Sequence, residues 1–436
     1  MVAKEKISIL ILSAGKGTRM RSKKAKVLHN IVGKPMLYHI IKESKKISSD
    51  ITVVVGHQAD EVVKSVQTYF QDIDFLYQDT ENFAGTGGAV IGFKPKSEKT
   101  LILNGDMPLV TSSDLNKIIN TASDIVMTSI QLENPTGYGR VIISDGEVLK
   151  IVEEKDASEN EKTVKYVNAG VYLIDSKLLI STIPKLSNNN AQNEFYLTDI
   201  IEIAKKSQKS VKSILVSENS FKGVNSKFDL SNAENIFLNR VKIELMKNGT
   251  TIHLPDTVYI ENSVKFIGEC EVEQNVTIIG ETTIINSTIK AGSVIEDSNI
   301  ENSTIGVMAH IRPKSNIIDS KIGNFVEVKK SNLKGVKAGH LSYLGDSDID
   351  VNTNIGAGVI TANYDGKKKY RTKIGKNVFI GSDSQLIAPI NIGDDIIIGA
   401  GSTVPSNTDI PKGALFISRG NLRIIQNFFY KFFGRK

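Results

Sequence analysis

A chain of 436 residues with a single cysteine, Cys270, has no disulfide framework, and a reducing cytosol suits it. No apolar stretch approaches the roughly 20 residues needed to cross a bilayer. The N-terminal run Ile7 to Leu12 is too short for the apolar segment of a secretory leader, and no small-residue cleavage site follows it, so a cytoplasmic protein is expected. A strong excess of one charge is also lacking. The 54 Lys and Arg against 48 Asp and Glu leave a formal net charge of +6, scattered along the chain. That balance suits small anionic substrates and gives no sign of nucleic acid binding. Histidine is scarce, with six in all.

What is present falls into two halves with different periodicity, and the length alone calls for more than one core. Up to about residue 226, short apolar runs alternate with helical patterns. Strands are expected at Ile7–Leu12, Ile51–Val55, Thr100–Leu103, Asp124–Ser129, Val167–Ile174 and Val211–Val216, with helices such as Met36–Lys46 and Asp60–Phe70 between the early ones. This alternation predicts a Rossmann-like α/β domain, a mostly parallel sheet covered on both faces. Ligands of such sheets bind beyond the C-terminal strand ends, here the loops after Leu12, Val55 and Leu103. Residues 229–248 read as one connecting helix, with Asp229 or Ser231 as cap and Gly249 past its end. The expected division is residues 1–226, a linker helix over 227–249, and a second domain over 250–436.

In that second part apolar residues recur every six positions, at Ile374, Ile380, Leu386, Ile392, Ile398 and Val404, and again at Ile305, Ile311 and Ile317. Glycine directly follows several of them, at 306, 375, 381, 393 and 399. A period of six fits neither a helix nor an ordinary strand. It predicts a parallel β-helix with one flat side per hexad, three sides per coil and the branched residue inward. The interval 333–354 breaks the period and is expected to hold an insertion on the binding face.

The glycine loop Gly15-Lys16-Gly17-Thr18 sits between an apolar strand and a cationic stretch. It is not a Walker loop, because no glycine lies five positions before Gly15, and not a dinucleotide loop, because Met20 stands where the third glycine belongs. A short turn remains whose backbone N–H groups can face an anion, with Arg19 and Lys26 available to neutralise phosphate. Asp106, ending the probable strand of "LILNGDMPL", supplies a hard carboxylate suited to Mg²⁺. "GTGGAV" (85–90) and "NPTGYGR" (134–140) are further glycine turns. Farther on, "KAGHLSYLGD" holds His340, and an imidazole is the usual group to take a proton from an attacking amine.

The loop Leu12–Met20 resembles the signature of sugar-phosphate nucleotidyltransferases. With "KVLH", "GTGGA", "NGDMPL", "NPTGYGR", "IVEEKDA", "NAGVY", "NNNAQNEFYLTD" and "GVNS", nearly the whole chain resembles the bacterial bifunctional N-acetylglucosamine-1-phosphate uridyltransferase/glucosamine-1-phosphate acetyltransferase family. The resemblance implies a left-handed β-helix, a homotrimer with sites between neighbouring chains, and UDP-N-acetylglucosamine synthesis feeding peptidoglycan and lipopolysaccharide. The implied substrates are UTP, acetyl-CoA, glucosamine-1-phosphate and N-acetylglucosamine-1-phosphate. It implies that Leu12, Ala14 and Gly15 bind uridine and phosphates, that Arg19 and Lys26 stabilise the transferring group, and that Gln78, Gly85 and Thr86 read uracil. Asp106 and Asn225 would hold Mg²⁺, and Gly139, Glu153 and Asn168 the sugar. In the second domain His340 would be the general base. Arg312, Lys329, Tyr343, Asn354 and Lys369 would bind glucosamine-1-phosphate, and Asn363, Tyr364, Ser382, Ala400 and Arg419 acetyl-CoA. This chain has Ala25 where the family usually has proline, and "DTENFA" after Gln78 is longer than the usual spacer. One residue is missing between Lys329 and His340. The tail 421–436, basic and aromatic, is expected to pack on a neighbouring subunit rather than a membrane. The competing reading is a single-activity sugar-phosphate nucleotidyltransferase with a structural or regulatory β-helix.

Overall fold

The computed structural model describes residues 7–144 and 146–418, with 420 and 426. Arg419 and nearly all of the tail 421–436 lie outside the described residues. The chain divides into two compact units, Met1–Phe237 and Leu238–Lys436.

The first unit is built on β1 (Ile7–Leu12), β2 (Ile51–Val55), β3 (Asp74–Tyr77), β4 (Lys99–Asn104), β5 (Ile125–Gln131), β6 (Arg140–Ser144), β7 (Glu147–Val152), β8 (Tyr166–Asp175) and β9 (Val211–Leu215). Seven of them form one sheet in the order β9-β5-β8-β4-β1-β2-β3, while β6 pairs with β8 and β7. The neighbours are parallel except β8, which runs antiparallel to both β4 and β5. Alternating residues of one strand feed two cores. Ile9 and Ile11 join Leu101 and Leu103 beneath Leu37, Ile40, Val62, Val66, Leu115 and Ile118 from the helices Met36–Ser44, Ala59–Tyr69 and Ser112–Ile119. Leu10, Val54 and Ile102 pack on the opposite side with Leu179, Ile200, Ile201 and Ala204. Helices thus cover both faces, and burial of each such side chain is worth about 1.5–3 kcal/mol.

Three elements depart from the sequence reading. The edge strand β3 carries no strong apolar run, and the hairpin of β6 and β7 alternates too weakly to stand out. The connecting helix spans Lys227–Lys247, so its cap is Ser226 rather than Asp229 or Ser231. Ser226 Oγ accepts from Asp229 N at 3.1 Å and Asp229 Oδ2 accepts from Ser226 N at 2.9 Å, a reciprocal capping box.

In the second unit, the short parallel strands of the described residues stack into three sheets of ten, nine and eight strands, and each strand pairs with the third one after it until the last coil, where Ile397–Ile398 pairs with Leu415–Phe416. That pairing is the signature of a chain winding through three faces per turn. The six-spaced apolar residues point inward: Ile355, Ile380 and Ile398 stand in one column, as do Ile295, Ile311, Val328 and Leu344 in another. Buried serines turn the corners, and their hydroxyls donate to neighbouring coils, as Ser298 does to Arg312 O (3.0 Å) and Ser331 to Leu344 O (3.0 Å). No buried hydroxyl of this pair is left to oppose folding.

The interval 333–354 does not leave the stack. Leu333, Ala338, Leu344, Ile349 and Ile355 are all buried and in register. Corners shortened by one residue hide the period there, and Ala338 is too small to mark it. The actual extension is 363–371, between the strands Ile360–Ala362 and Thr372–Ile374, where successive coils pair at wider spacing (Asp348 with Lys373). Replacing Ile380 by alanine is expected to cost the second unit about 2–5 kcal/mol by leaving a cavity between two packed coils, measured as a lowered denaturation midpoint by circular dichroism.

Candidate active sites

The C-terminal ends of β1, β2 and β4 meet at one edge of the first sheet, and the loops that leave them are tied together. Gly105 N donates to Leu12 O (2.9 Å), Ser13 N to Val54 O (2.9 Å) and His57 N to Ala14 O (3.2 Å). Leu12 and Ala14 are therefore fixed, while a Cβ placed on Gly15 would meet nothing within 4 Å. At Gly17 the backbone is left-handed (φ +59°), and a Cβ would stand 2.6 Å from Lys26 Cβ. Only glycine lets the loop lie against the start of the basic stretch. Ala25 has φ −53°, the range a proline ring imposes, so the backbone there is the one proline would adopt.

Four expected residues from distant segments converge. Lys26 Nζ donates to Asp106 Oδ2 at 2.5 Å and to Asn225 Oδ1 at 3.2 Å, and Arg19 Nη2 donates to the same Asn225 Oδ1 at 2.9 Å. Gly223 backs the Asp106 carboxylate, since a Cβ there would lie 3.2 Å from both oxygens. Asn225 Nδ2 donates to Gly223 O (3.2 Å), which aims Oδ1 at the cations. Two hard oxygens thus meet where an ammonium now sits, a place that fits a cation. Among the described residues no three His, Cys, Asp or Glu gather to hold a metal on their own. The site therefore suits a divalent ion that takes most of its ligands from phosphate and water.

Beside β8, Asn168 N donates to Gly139 O (2.8 Å), and a Cβ on Gly139 would lie 3.2 Å from both Glu153 oxygens. The register slips between Asn168 and Tyr172, a bulge that re-aims Asn168. Burial pushes the Glu153 carboxyl up, against the Thr198 hydroxyl that donates to it at 3.3 Å. Burial likewise raises Asp199 from 3.8 to about 6. Thr198 and Asp199 close the "NNNAQNEFYLTD" motif, but nothing in its spacing shows that they stand beside Glu153.

Gln78 follows β3. Its amide nitrogen donates to Phe83 O (2.9 Å) and Gly85 O (3.0 Å), closing the long "DTENFA" spacer into a compact loop. Asp79 caps that loop by accepting from Glu81 N and Asn82 N. Thr86 Oγ1 accepts from Leu197 N (3.1 Å), and Gly87 N donates to Phe195 O (2.7 Å). The glycines of 85–88 are required first by the approach of the chain's own backbone at Phe83 and Phe195.

In the second unit, Arg312, Lys329 and Tyr343 belong to adjacent strands of one face. Arg312 Nη1 is bound to Glu327 at 2.9 Å. The Lys369 side chain reaches Lys329 from the 363–371 extension and, with Arg312 adding repulsion, holds the Lys329 amine below its usual range. Crowded cations of this kind suit an anion.

His340 ends the strand Lys337–His340 on a neighbouring face and is exposed. Gly339, Gly356, Gly381 and Gly399 stand in successive coils, and a Cβ on Gly381 would be 2.4 Å from Ala400 N. The residues after these glycines, His340, Ala357, Ser382 and Ala400, form one column up the edge. Three expected residues are thus brought together. Asn354 is not: it pairs with Lys337 at the other end of that strand. Asn363 Nδ2 donates to Asp346 Oδ2 (2.5 Å), and Tyr364 pairs with Lys369 in the extension with its ring exposed. Asp346 closes the stretch "KAGHLSYLGD", but its pairing with Asn363, 17 positions on, was not legible.

The fold and these two sites define a nucleotidyltransferase unit joined to a hexapeptide-repeat transferase unit. Residues 9–164 match the MobA-like NTP transferase domain, and residues 371–406 match the bacterial transferase hexapeptide (six repeats). The chain is 58% identical to the bifunctional protein GlmU of Sulfurimonas denitrificans, over 99% of this chain and 100% of that one. It is 57% identical to the GlmU of Nitratiruptor sp. (98% and 99%) and 54% identical to that of Aliarcobacter butzleri (99% and 99%). The chain belongs to the bifunctional GlmU family and is a two-activity transferase.

Two outcomes are expected. Ala25→Pro should stabilise the first unit by about 0.4–1 kcal/mol through the unfolded chain, read as a higher urea midpoint. Asp199 binds its proton more tightly folded than unfolded, so its contribution is present below pH about 4 and lost as pH rises through about 6. Asp199→Asn should therefore flatten the decline in the unit's stability across that window, measured by melting at stepped pH.

Proposed function

We propose that the second unit acetylates glucosamine-1-phosphate from acetyl-CoA, and that the first unit then transfers UMP from UTP to N-acetylglucosamine-1-phosphate, releasing pyrophosphate. The observation that carries this reading is the meeting of Arg19, Lys26, Asp106 and Asn225 at one point. Nucleotidyl transfer needs alignment and cancelled charge at phosphorus rather than a protein nucleophile. Leu12, Ala14 and Gly15 seat the nucleotide, and Gln78 Oε1 faces the uracil N3–H because its amide hydrogens serve the loop. Arg19 and Lys26 leave their resting acceptors for the phosphates. Gly139, Glu153 and Asn168 hold the sugar hydroxyls, which presents its phosphate oxygen in line with the α-phosphorus. Asp106 and Asn225 hold the divalent cation, taken as Mg²⁺, which supplies Lewis-acid neutralisation of the phosphates.

In the second unit, Arg312, Lys329, Tyr343 and Lys369 grip the sugar phosphate. His340 takes the proton from the amine as it attacks the thioester carbonyl, and the CoA thiolate departs. Acetyl-CoA lies along the column of Ser382 and Ala400, beside Asn363 and Tyr364. Asn354, at the far end of the strand from His340, reaches such a site from a neighbouring copy. We infer a homotrimer on the apolar corner of Met308, Phe325 and Leu341, exposed by 56%, 55% and 62% in consecutive coils. A cytoplasmic setting fits the single buried Cys270 and these substrates; no helix among the described residues is long and apolar enough to cross a membrane.

His340→Ala is expected to lower acetyl transfer by about 10²–10⁴-fold and leave uridyl transfer unchanged. Asp106→Asn should do the reverse. In a coupled assay with both substrates, omission of acetyl-CoA should stop UDP-N-acetylglucosamine formation and added N-acetylglucosamine-1-phosphate should restore it. Normal acetylation by His340→Ala would sink the proposed base.

A further inference from the structure

Asp229 lies outside every residue assigned above, in the first turn of the helix Lys227–Lys247. Its Oδ2 accepts three hydrogen bonds: from Asn225 N (3.1 Å), Ser226 N (2.9 Å) and Ser226 Oγ (2.8 Å). An ordinary capping box needs only the second of these. The bond from Asn225 N reaches one residue further back, beyond the cap, to the residue whose Oδ1 faces Lys26 and Arg19. With Nδ2 held by Gly223 O, Asn225 is anchored at backbone and side chain. A carboxylate accepting from consecutive N–H groups fixes that backbone more firmly than a neutral acceptor would.

We propose that Asp229 is a positioning residue for the cation site of the uridyltransferase unit, setting Asn225 so that its Oδ1 and the Asp106 carboxylate converge. This rests on the reading of Asn225 as a metal ligand. Asp229 itself touches no substrate. It acts through Asn225, as the outer partners of metal ligands do when their loss weakens metal affinity about 10–100-fold. The helix cap and the cation site thus share one carboxylate. Ser226 Oγ accepts from Asp229 N at the cap and donates to Asp229 Oδ2, but it does not bond Asn225, whose N–H reaches Oδ2 directly. Ser226→Ala therefore loosens the helix start while leaving the hold on Asn225 in place.

The test measures Mn²⁺ binding to the full-length protein with UTP present, by the electron paramagnetic resonance signal of free Mn²⁺. Asp229→Ala should raise the apparent Kd about 10-fold. Asp229→Asn, of equal size, should raise it in the same direction and carries the test should the alanine variant not fold. Ser226→Ala should bind nearly as the unmodified protein does, and acetyl transfer should persist in all variants. An equal loss in Ser226→Ala and Asp229→Ala would assign the effect to the helix cap and overturn the proposal. A raised Kd in Asn225→Ala with none in either Asp229 variant would overturn it while leaving the metal-ligand reading intact. Unchanged binding in Asn225→Ala would remove that reading and this proposal together.

Discussion

The ion pair of Lys26 with Asp106, shared with Asn225 and Arg19, is the contact on which the nucleotide site depends. The Asp106 carboxylate and the Asn225 amide oxygen accept from both cations, yet two positive charges face one negative, so the four groups keep a net positive charge that suits phosphate. Substrate phosphates and a divalent ion offer the same groups better partners of each sign. The exchange requires no rearrangement of the sheet, because each group sits on a loop leaving a fixed strand or on the capped start of a helix. Gly17 and Gly223 are the spacers that allow this closeness, one against Lys26 and the other against Asp106.

The second unit solves a related problem with a different scaffold. Its coils are rigid because an apolar residue is buried every five or six positions and each strand inside the stack is hydrogen-bonded above and below. Chemistry is carried by what that repeat leaves outside: the column after the corner glycines, the cations on a neighbouring face, and the single extension 363–371. Function on a loop positioned by a stiff frame is the general arrangement. Both proposed sites gather Lys and Arg suited to phosphate. They differ in the remaining partner, a carboxylate that suits a metal in one and an imidazole suited to taking a proton in the other.

Much of the fold was legible. β1 and β2 appear at the expected bounds, and the inward positions Ile305, Ile311 and Ile317 and those from Ile374 to Val404 follow the hexad reading. The failures have physical causes. β3 is a part-exposed edge with little periodicity. The shortened corners between Leu333 and Ile355 conceal a repeat that the hydrogen bonding preserves. The extension 363–371 is polar and made no break in apolar spacing that could be seen ahead of Ile374. Ala25, an apparent loss, keeps a proline's backbone angle and so changes little in the loop.

Periodicity and motif spacing along the chain were enough for the two architectures and for the chemical types of the candidate site residues. Periodicity reports which side chains can be buried, and burial dominates folding energy. Only the tertiary structure decided how those residues share their hydrogen bonds. It turned the Gln78 amide onto its own loop, left Asn354 at the far end of the strand from His340, brought Lys369 against Lys329, and set Asp229 behind Asn225. Such partnerships depend on distances of a few ångströms between segments that sequence spacing does not order, and hydrogen bonds are lost outside that range.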